Sequence, residues 1–293
     1  MKRSMKTISA VVLMFFLCTN VVHAGGMLQI KGSDTLINLV QRLSEVYMEK
    51  NSGKYIAVTG GGSGTGIAAL MNSKCDIADA SRNMKPKEIV KSQELGVNPK
   101  RVVIAMDGLS VIVNGNNKVT QLTVEEIGKI FRGEITNWSE LGGSNMPITL
   151  YGRQSNSGTF VFFRDSVLKG DYSANMNRMN GNSQIVEAVT HDETGIGYVG
   201  VGYAKKASGI AVVEVASFPG APYASPLNAA DVKSGKYPIA RPLNQYVNGT
   251  PEGDILKFIE FELSPEGQQI VQDEGFFPIP KEYIDFNKKS IGV

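Results

Sequence analysis

The sequence predicts an α/β protein of two lobes, with mainly parallel sheets flanked by helices and two hinge strands around a central cleft. Three observations carry this expectation. Short apolar strands alternate with amphipathic helices, the pattern of parallel sheets covered by helices. Turns rich in Gly, Ser and Thr stand where strands give way to helices. The chain of 293 residues, 42% of them hydrophobic, exceeds a typical single domain and can fill more than one core.

Residues 1–6 carry Lys2, Arg3 and Lys6 and no acid, and an apolar run over 11–22 ends in Val22-His23-Ala24. A basic start, a short apolar core and a small residue before the cut form a secretory signal, with cleavage expected after Ala24. The run is too short for a membrane anchor, which needs about 20 apolar residues, and Cys18, Thr19 and Asn20 interrupt it. Phe16 and Leu17 precede Cys18 where a lipid-acceptor cysteine would follow small residues, so a soluble, periplasmic protein is expected. Removing residues 1–24 leaves 269 residues and takes three positive charges from a net charge of +2, giving −1. A nearly neutral chain without a basic run offers nothing to nucleic acid or to an anionic membrane. Cys75 alone remains, so neither an intramolecular disulfide nor a thiolate metal site can form.

In chain order, residues 28–31 read as a strand and 32–34 as a turn. Residues 35–50 read as a helix that carries Leu36, Leu39, Val40, Leu43, Val46 and Tyr47 on one face. Ser33 or Asp34 is its expected N-cap. A second strand over 55–59 leads into a glycine-rich loop over 60–66 and a helix from Ile67. Two apolar stretches around Asp107-Gly108 read as the crossing into a second lobe. There, Thr123 and Glu126 form a capping box, a strand ends at Gly152-Arg153, and Ser157 caps a helix running through Leu168. A helix over 183–190 and a buried strand over 195–201 follow. A long Pro-, Ala- and Gly-rich loop over 217–242 then leads to a return crossing near 239–246. Helices over 251–263 and 264–273 close the pattern, the latter with Ser264 at N-cap and Pro265 at N1. The expected lobes are residues 25–108 with 239–293, and 109–238.

Three segments share one design: Gly32-Ser33-Asp34-Thr35, the loop from Gly60 to Gly66, and Arg153-Gln154-Ser155-Asn156-Ser157-Gly158-Thr159. Each ends a strand and opens a helix. The first N–H groups of a helix lack internal partners and its dipole makes that end positive, so an oxyanion is stabilised there. Any one such turn is ordinary capping chemistry; three in one chain point to a ligand. The glycine loop has no Gly-x-Gly-x-x-Gly register, and Ile67 stands where a P-loop has lysine, which argues against a nucleotide. Arg153 supplies a guanidinium fork that matches two oxygens of an oxyanion.

These residues resemble the substrate-binding protein of the high-affinity phosphate ABC importer, a family with the type II periplasmic binding-protein fold. The resemblance spans nearly the whole mature chain. It rests on Gly32 to Thr35, Gly62-Ser63-Gly64, residues 76–82, residues 153–159, Gly195-Ile196-Gly197-Tyr198-Val199, and the closing Leu263-Ser264-Pro265-Glu266-Gly267-Gln268 with Gly275 to Pro280. It implies a monomeric protein without cofactor or turnover that passes inorganic phosphate to membrane permease subunits. It further implies that Thr35, the Leu36 amide, Ser63, Arg153, Ser157, Gly158 and Thr159 surround the phosphate, and Ser33, Ser81 and Arg82 next to these motifs are expected to reach it as well. The chain departs from the family pattern twice. Arg82 follows Ala80-Ser81 where a ligand-facing Asp accepts the phosphate proton, so Arg82 is expected to donate to phosphate or to pair with Asp79. Ser155 stands where an acid pairs with the arginine, and Asp34, Asp79 or Asp107 remain as sources of an acceptor.

Other readings carry less. A phosphate-ester hydrolase would need a base, but His191, the sole histidine of the mature chain, sits in a polar helix end with no Gly-x-Ser-x-Gly elbow. His191 with Asp192 and Glu193 also lacks the histidine spacing of a zinc site. Sulfate, molybdate or tungstate could occupy the same fold. Trp138, Phe160, Phe162, Phe163 and Cys75 read as packing, and residues 85–91 as a basic, solvated face.

Overall fold

The computed structural model describes residues 26–293; the signal expected over residues 1–24 lies outside the described residues. The chain opens with β1 (Leu28–Gly32), α1 (Ile37–Lys50), β2 (Ile56–Thr59), α2 (Ser63–Met71), β3 (Ile77–Ala80), α3 (Pro86–Glu94) and β4 (Pro99–Gly108). It continues through β5 (Ser110–Asn114), β6 (Gln121–Thr123), α4 (Val124–Arg132), β7 (Thr149–Arg153), α5 (Gly158–Phe163), β8 (Asn177–Met179), α6 (Asn182–His191), β9 (Gly195–Val199), α7 (Val201–Lys206) and β10 (Ile210–Val212). Last come β11 (Glu214–Ala216), α8 (Ala229–Lys233), β12 (Ala240–Asn248), α9 (Gly253–Leu263), α10 (Pro265–Asp273) and α11 (Lys281–Ile291).

One five-stranded sheet has the order β2-β1-β3-β12-β4 and another β10-β5-β9-β7-β8, with β11 and β6 as a small parallel pair. β1 pairs in parallel with β2 and β3, and β7 with β8 and β9. The sheets are nevertheless mixed, because the strands that carry the chain between them run against their neighbours. β12 is antiparallel to β3 and β4, and β5 to β9 and β10. The chain leaves the first sheet at Gly108, enters the second at Ser110, and is back in the first at Ala240.

Each sheet is held by burial. Leu39, Val40 and Leu43 of α1 and Phe258 and Ile259 of α9 are fully enclosed beside the first sheet. A Leu or Phe so buried contributes about 1.5–3 kcal/mol. In the second, Phe163 stacks on Tyr198 at 4.1 Å between ring centroids, and Phe131 meets both edge-on. Trp138 is fully buried and its indole N–H donates to Thr194 O at 2.9 Å, and Cys75 is buried.

The capping predictions divide. Thr123 with Glu126, Ser157, and Ser264 before Pro265 all cap as expected. The first helix differs: it starts at Ile37 with no side-chain cap, because the Ile37 amide donates to Asp34 O and the Leu36 amide to Ser33 O in a preceding turn. The second starts four residues early, at Ser63. Its glycines serve close packing there, since a β-carbon on Gly66 would stand 2.3 Å from Lys31 O of β1. Among the described residues, no helix is long and apolar enough to cross a membrane.

Candidate functional site: a hydroxyl cluster between the sheets

The ends of β1, β2, β3 and β7 turn toward a common point, where the carboxyl ends of parallel strands place ligands in open α/β sheets. Thr35 follows β1, Ser63 opens α2, Ser81 follows β3, and Thr159 lies in the first turn of α5 after β7. All four are fully buried. Their hydroxyls form a chain: Thr35 Oγ1 lies 2.8 Å from Thr159 Oγ1, which lies 3.3 Å from Ser81 Oγ, which lies 3.4 Å from Ser63 Oγ. The Ser81 amide donates to Ser63 Oγ at 3.0 Å, which leaves the Ser63 hydroxyl free to donate elsewhere.

Gly158 makes this meeting possible. A β-carbon there would stand 2.2 Å from Ser63 Oγ and 2.8 Å from Ser81 Oγ. Beside it, Ser157 is buried; its hydroxyl oxygen accepts from the Thr159 and Phe160 amides, which holds the loop in shape and leaves the hydroxyl proton free to donate. The same loop reaches across to the glycine loop: Asn156 O accepts from the Gly64 amide at 2.9 Å, and Asn156 Nδ2 donates to Gly61 O at 2.7 Å.

Arg153 is 2% exposed, and burial draws its guanidinium down from the ordinary arginine range while Asp34 opposes the shift. Nη2 donates to Asn180 O at 2.9 Å. Nη1 stands 3.3 Å from Asp34 Oδ2, near enough for charge attraction but outside hydrogen-bond alignment, and Nε and Nη1 have no hydrogen-bond acceptor among the described residues. Asp34 thus takes the place of the counter-ion absent at Ser155. It is fixed by the Asn182 amide at 2.8 Å and side chain at 2.6 Å, and its carbonyl accepts from Tyr203 Oη at 2.8 Å.

Two expected ligand groups, the Leu36 amide and Arg82, are directed elsewhere. The Leu36 amide closes its turn on Ser33 O at 3.1 Å, and the buried Ser33 donates its own amide to Asp79 O at 2.9 Å. Arg82 pairs with neither Asp79 nor the cluster: Nη1 and Nη2 fork onto Glu88 at 2.7 and 2.8 Å. The reason is Glu88 in the first turn of α3, where it also accepts the Lys85 amide. Burial raises the Glu88 carboxyl, but the bonds from Arg82 and Lys85 outweigh this and hold it below the usual carboxylate range. Asp79 instead takes a bond from Gln245 at 3.2 Å.

The sequence reasoning missed Arg241. It is 2% exposed on β12; Nε and Nη2 donate to Asp107 Oδ2 at 3.0 and 2.9 Å, Nη1 to Ser81 O at 2.8 Å, and Nη2 to Thr159 Oγ1 at 3.0 Å. One signal was available. An arginine inside a strand read as a buried crossing requires an acid, and Asp107 is the charge on the other crossing. Burial draws the Arg241 guanidinium down, Asp107 opposes this, and Arg153, on the loop that carries Thr159, adds a smaller push in the same direction as burial. The free capacity of the cluster is donor capacity, which suits an oxyanion. Elsewhere, His191 is exposed at the end of α6. Among the described residues no group of three or more His, Cys, Asp or Glu could hold a metal ion.

The profile of the PBP superfamily domain matches residues 20–266. The phosphate-binding protein PstS of Pseudomonas aeruginosa is 32% identical over 286 residues, covering 92% of this chain and 88% of its own. The chain belongs to the phosphate-binding protein family. The family member PstS of Borreliella burgdorferi is 30% identical, with 92% and 98% covered. The crystal structure of an ABC transporter substrate-binding protein from Clostridium perfringens with bound phosphate superposes with a TM-score of 0.77 at 29% identity, covering 87% of this chain and all of the other. This phosphate-binding protein relative and the chain thus share the two-sheet architecture as well as the sequence pattern.

Proposed function

We propose that this protein captures inorganic phosphate between its two lobes and delivers it to an ABC importer, without turning it over. One observation carries the reading: four buried hydroxyls from four separate strand ends converge, and the loop that brings Thr159 there also carries a buried arginine whose Nε and Nη1 have no hydrogen-bond acceptor among the described residues. Such a shell replaces the hydration of a tetrahedral anion with fixed dipoles and one matched charge. Thr35, Ser63, Ser81, Arg153 and Thr159 touch the anion. Gly158 admits it and Ser157 shapes its loop.

Residues 25–108 with 239–293, and 109–238, act as the two lobes that close about the crossing strands, the anion stabilising the closed form by bridging them. The protein works as a periplasmic monomer after signal removal and docks on permease subunits in the inner membrane. Calorimetry of the mature protein, unfolded and refolded to strip carried anion, tests the assignment. One phosphate per chain with sulfate and molybdate binding more weakly supports it; equal or absent phosphate binding contradicts it. A second oxyanion as physiological ligand is favoured by one feature, the fork of Arg82 on Glu88 where the family has an acceptor for the phosphate proton.

A further inference from the structure

We propose that Arg241 is a positioning residue that fixes the Thr159 hydroxyl as a donor to the anion and links anion capture to lobe closure, a role that rests on the phosphate reading above. A guanidinium has donors only. In its 3.0 Å contact with Arg241 Nη2, Thr159 Oγ1 must therefore accept, and its own proton turns toward Thr35 Oγ1 and Ser81 Oγ, which lie in the cluster. Without Arg241 the threonine could point its proton either way.

The contacts of Arg241 divide between the two sheets. Asp107 and Ser81 belong with its own; Thr159 belongs to α5 of the other, as does Phe162, whose ring centroid lies 5.0 Å from the guanidinium carbon. Asp107 crosses as well, its Oδ1 accepting the Val201 amide at 2.9 Å where α7 begins. Parting the lobes removes Thr159, Phe162 and Val201 together, so these contacts of the ion pair exist only in the closed arrangement. There the pair is buried, and its bonds to Thr159 and Val201 offset part of the cost of taking it out of water. An anion accepting from Thr159 fixes the proton order that Arg241 imposes.

The test is a double-mutant cycle in phosphate calorimetry, with Arg241→Lys, Thr159→Val and the double variant, alongside anion-free Tm and small-angle scattering with and without phosphate. Arg241→Lys is expected to weaken phosphate about tenfold and to reduce the compaction phosphate causes, because lysine cannot bond Asp107, Ser81 and Thr159 together. In the Thr159→Val background the same change should cost less than about twofold more. A lowered Tm with phosphate affinity kept, or penalties that multiply in the double variant, overturns the proposal. If Arg241→Lys does not fold, the neutral pair Asp107→Asn with Arg241→Gln is measured instead, with the same loss expected. Wild-type protein that ignores phosphate sinks the reading of the site; wild-type binding with an indifferent Arg241→Lys sinks this inference alone.

Discussion

Two buried polar clusters are centred two residues apart along the chain, one on Asp79 within β3 and one on Ser81 just after it, and they are opposite in chemistry. Around Ser81, four hydroxyls, the Arg241 guanidinium and that of Arg153, on the loop that carries Thr159, offer more donors than the protein accepts. Around Asp79, the surplus is in acceptors. Gln245 Nε2 bonds both Asp79 Oδ1 at 3.2 Å and Glu262 Oε1 at 3.0 Å, while Gln245 Oε1 and Glu262 Oε2 have no partner among the described residues. A proton on Glu262 Oε2 directed at Gln245 Oε1 closes an acid–amide pair and satisfies both atoms. Burial pushes Asp79 up to about 8 and raises Glu262 well above the carboxylate range, with the neighbouring Asp79 charge adding to the rise, so this cluster favours protonated carboxyls. Burial of polar groups is thus no mark of a ligand site by itself; the sign of what is left unsatisfied is.

The largest test of this contrast is Arg153→Ala, which removes the charged donor from the first cluster only. Phosphate affinity should fall at least tenfold, a charge-assisted bond being worth about 1.5–3 kcal/mol, with the Tm profile against pH unchanged. Unchanged affinity would place the anion elsewhere. Next comes Gly158→Ala, whose β-carbon meets Ser63 and Ser81 only when the sheets approach. Calorimetry should show about tenfold weaker phosphate while circular dichroism stays as in wild type.

The second cluster is tested by pH. The folded protein keeps protons on Asp79 and Glu262 that the unfolded chain releases above about pH 4, so stability is greatest below that pH as far as these groups go and is lost as pH rises toward 8. The Tm of the anion-free protein should fall across that window. Glu262→Gln should flatten the fall and leave phosphate affinity within about twofold; a tenfold loss would join the two clusters into one site. The smallest effect belongs to Lys206→Ala. Its pair with Glu274 at 2.6 Å spans the sheets, but the lysine side chain is 51% exposed, so affinity should shift by less than about twofold.

The contrast also marks what the sequence could reveal. Thr35, Ser63 and Thr159 were legible because each stands in a strand-to-helix turn with glycine beside it, and local chemistry alone identifies such turns. Thr123 with Glu126, and Ser264 with Pro265, were legible from another local signal, the capping residues that open a helix. Arg241 was not, because it has no motif of its own and its three partners, Ser81, Asp107 and Thr159, are all more than 80 residues away in the chain. The turn of Arg82 onto Glu88 depended on α3, which the sequence reading took for a solvated basic stretch, and the closing helix α11 was also not anticipated. Helix starts slipped where backbone packing overruled side-chain capping: α1 begins after a turn of its own, and α2 begins among glycines that pack against β1.

Crystals grown with arsenate in place of phosphate, measured at the arsenic absorption edge, locate the anion without reference to any assumed pose. A single anomalous peak is expected with its oxygens within about 3 Å of the Thr35, Ser63, Ser81 and Thr159 hydroxyls and of the Arg153 guanidinium. A peak on the outer surface, or one near Asp79 and Glu262, would contradict the account.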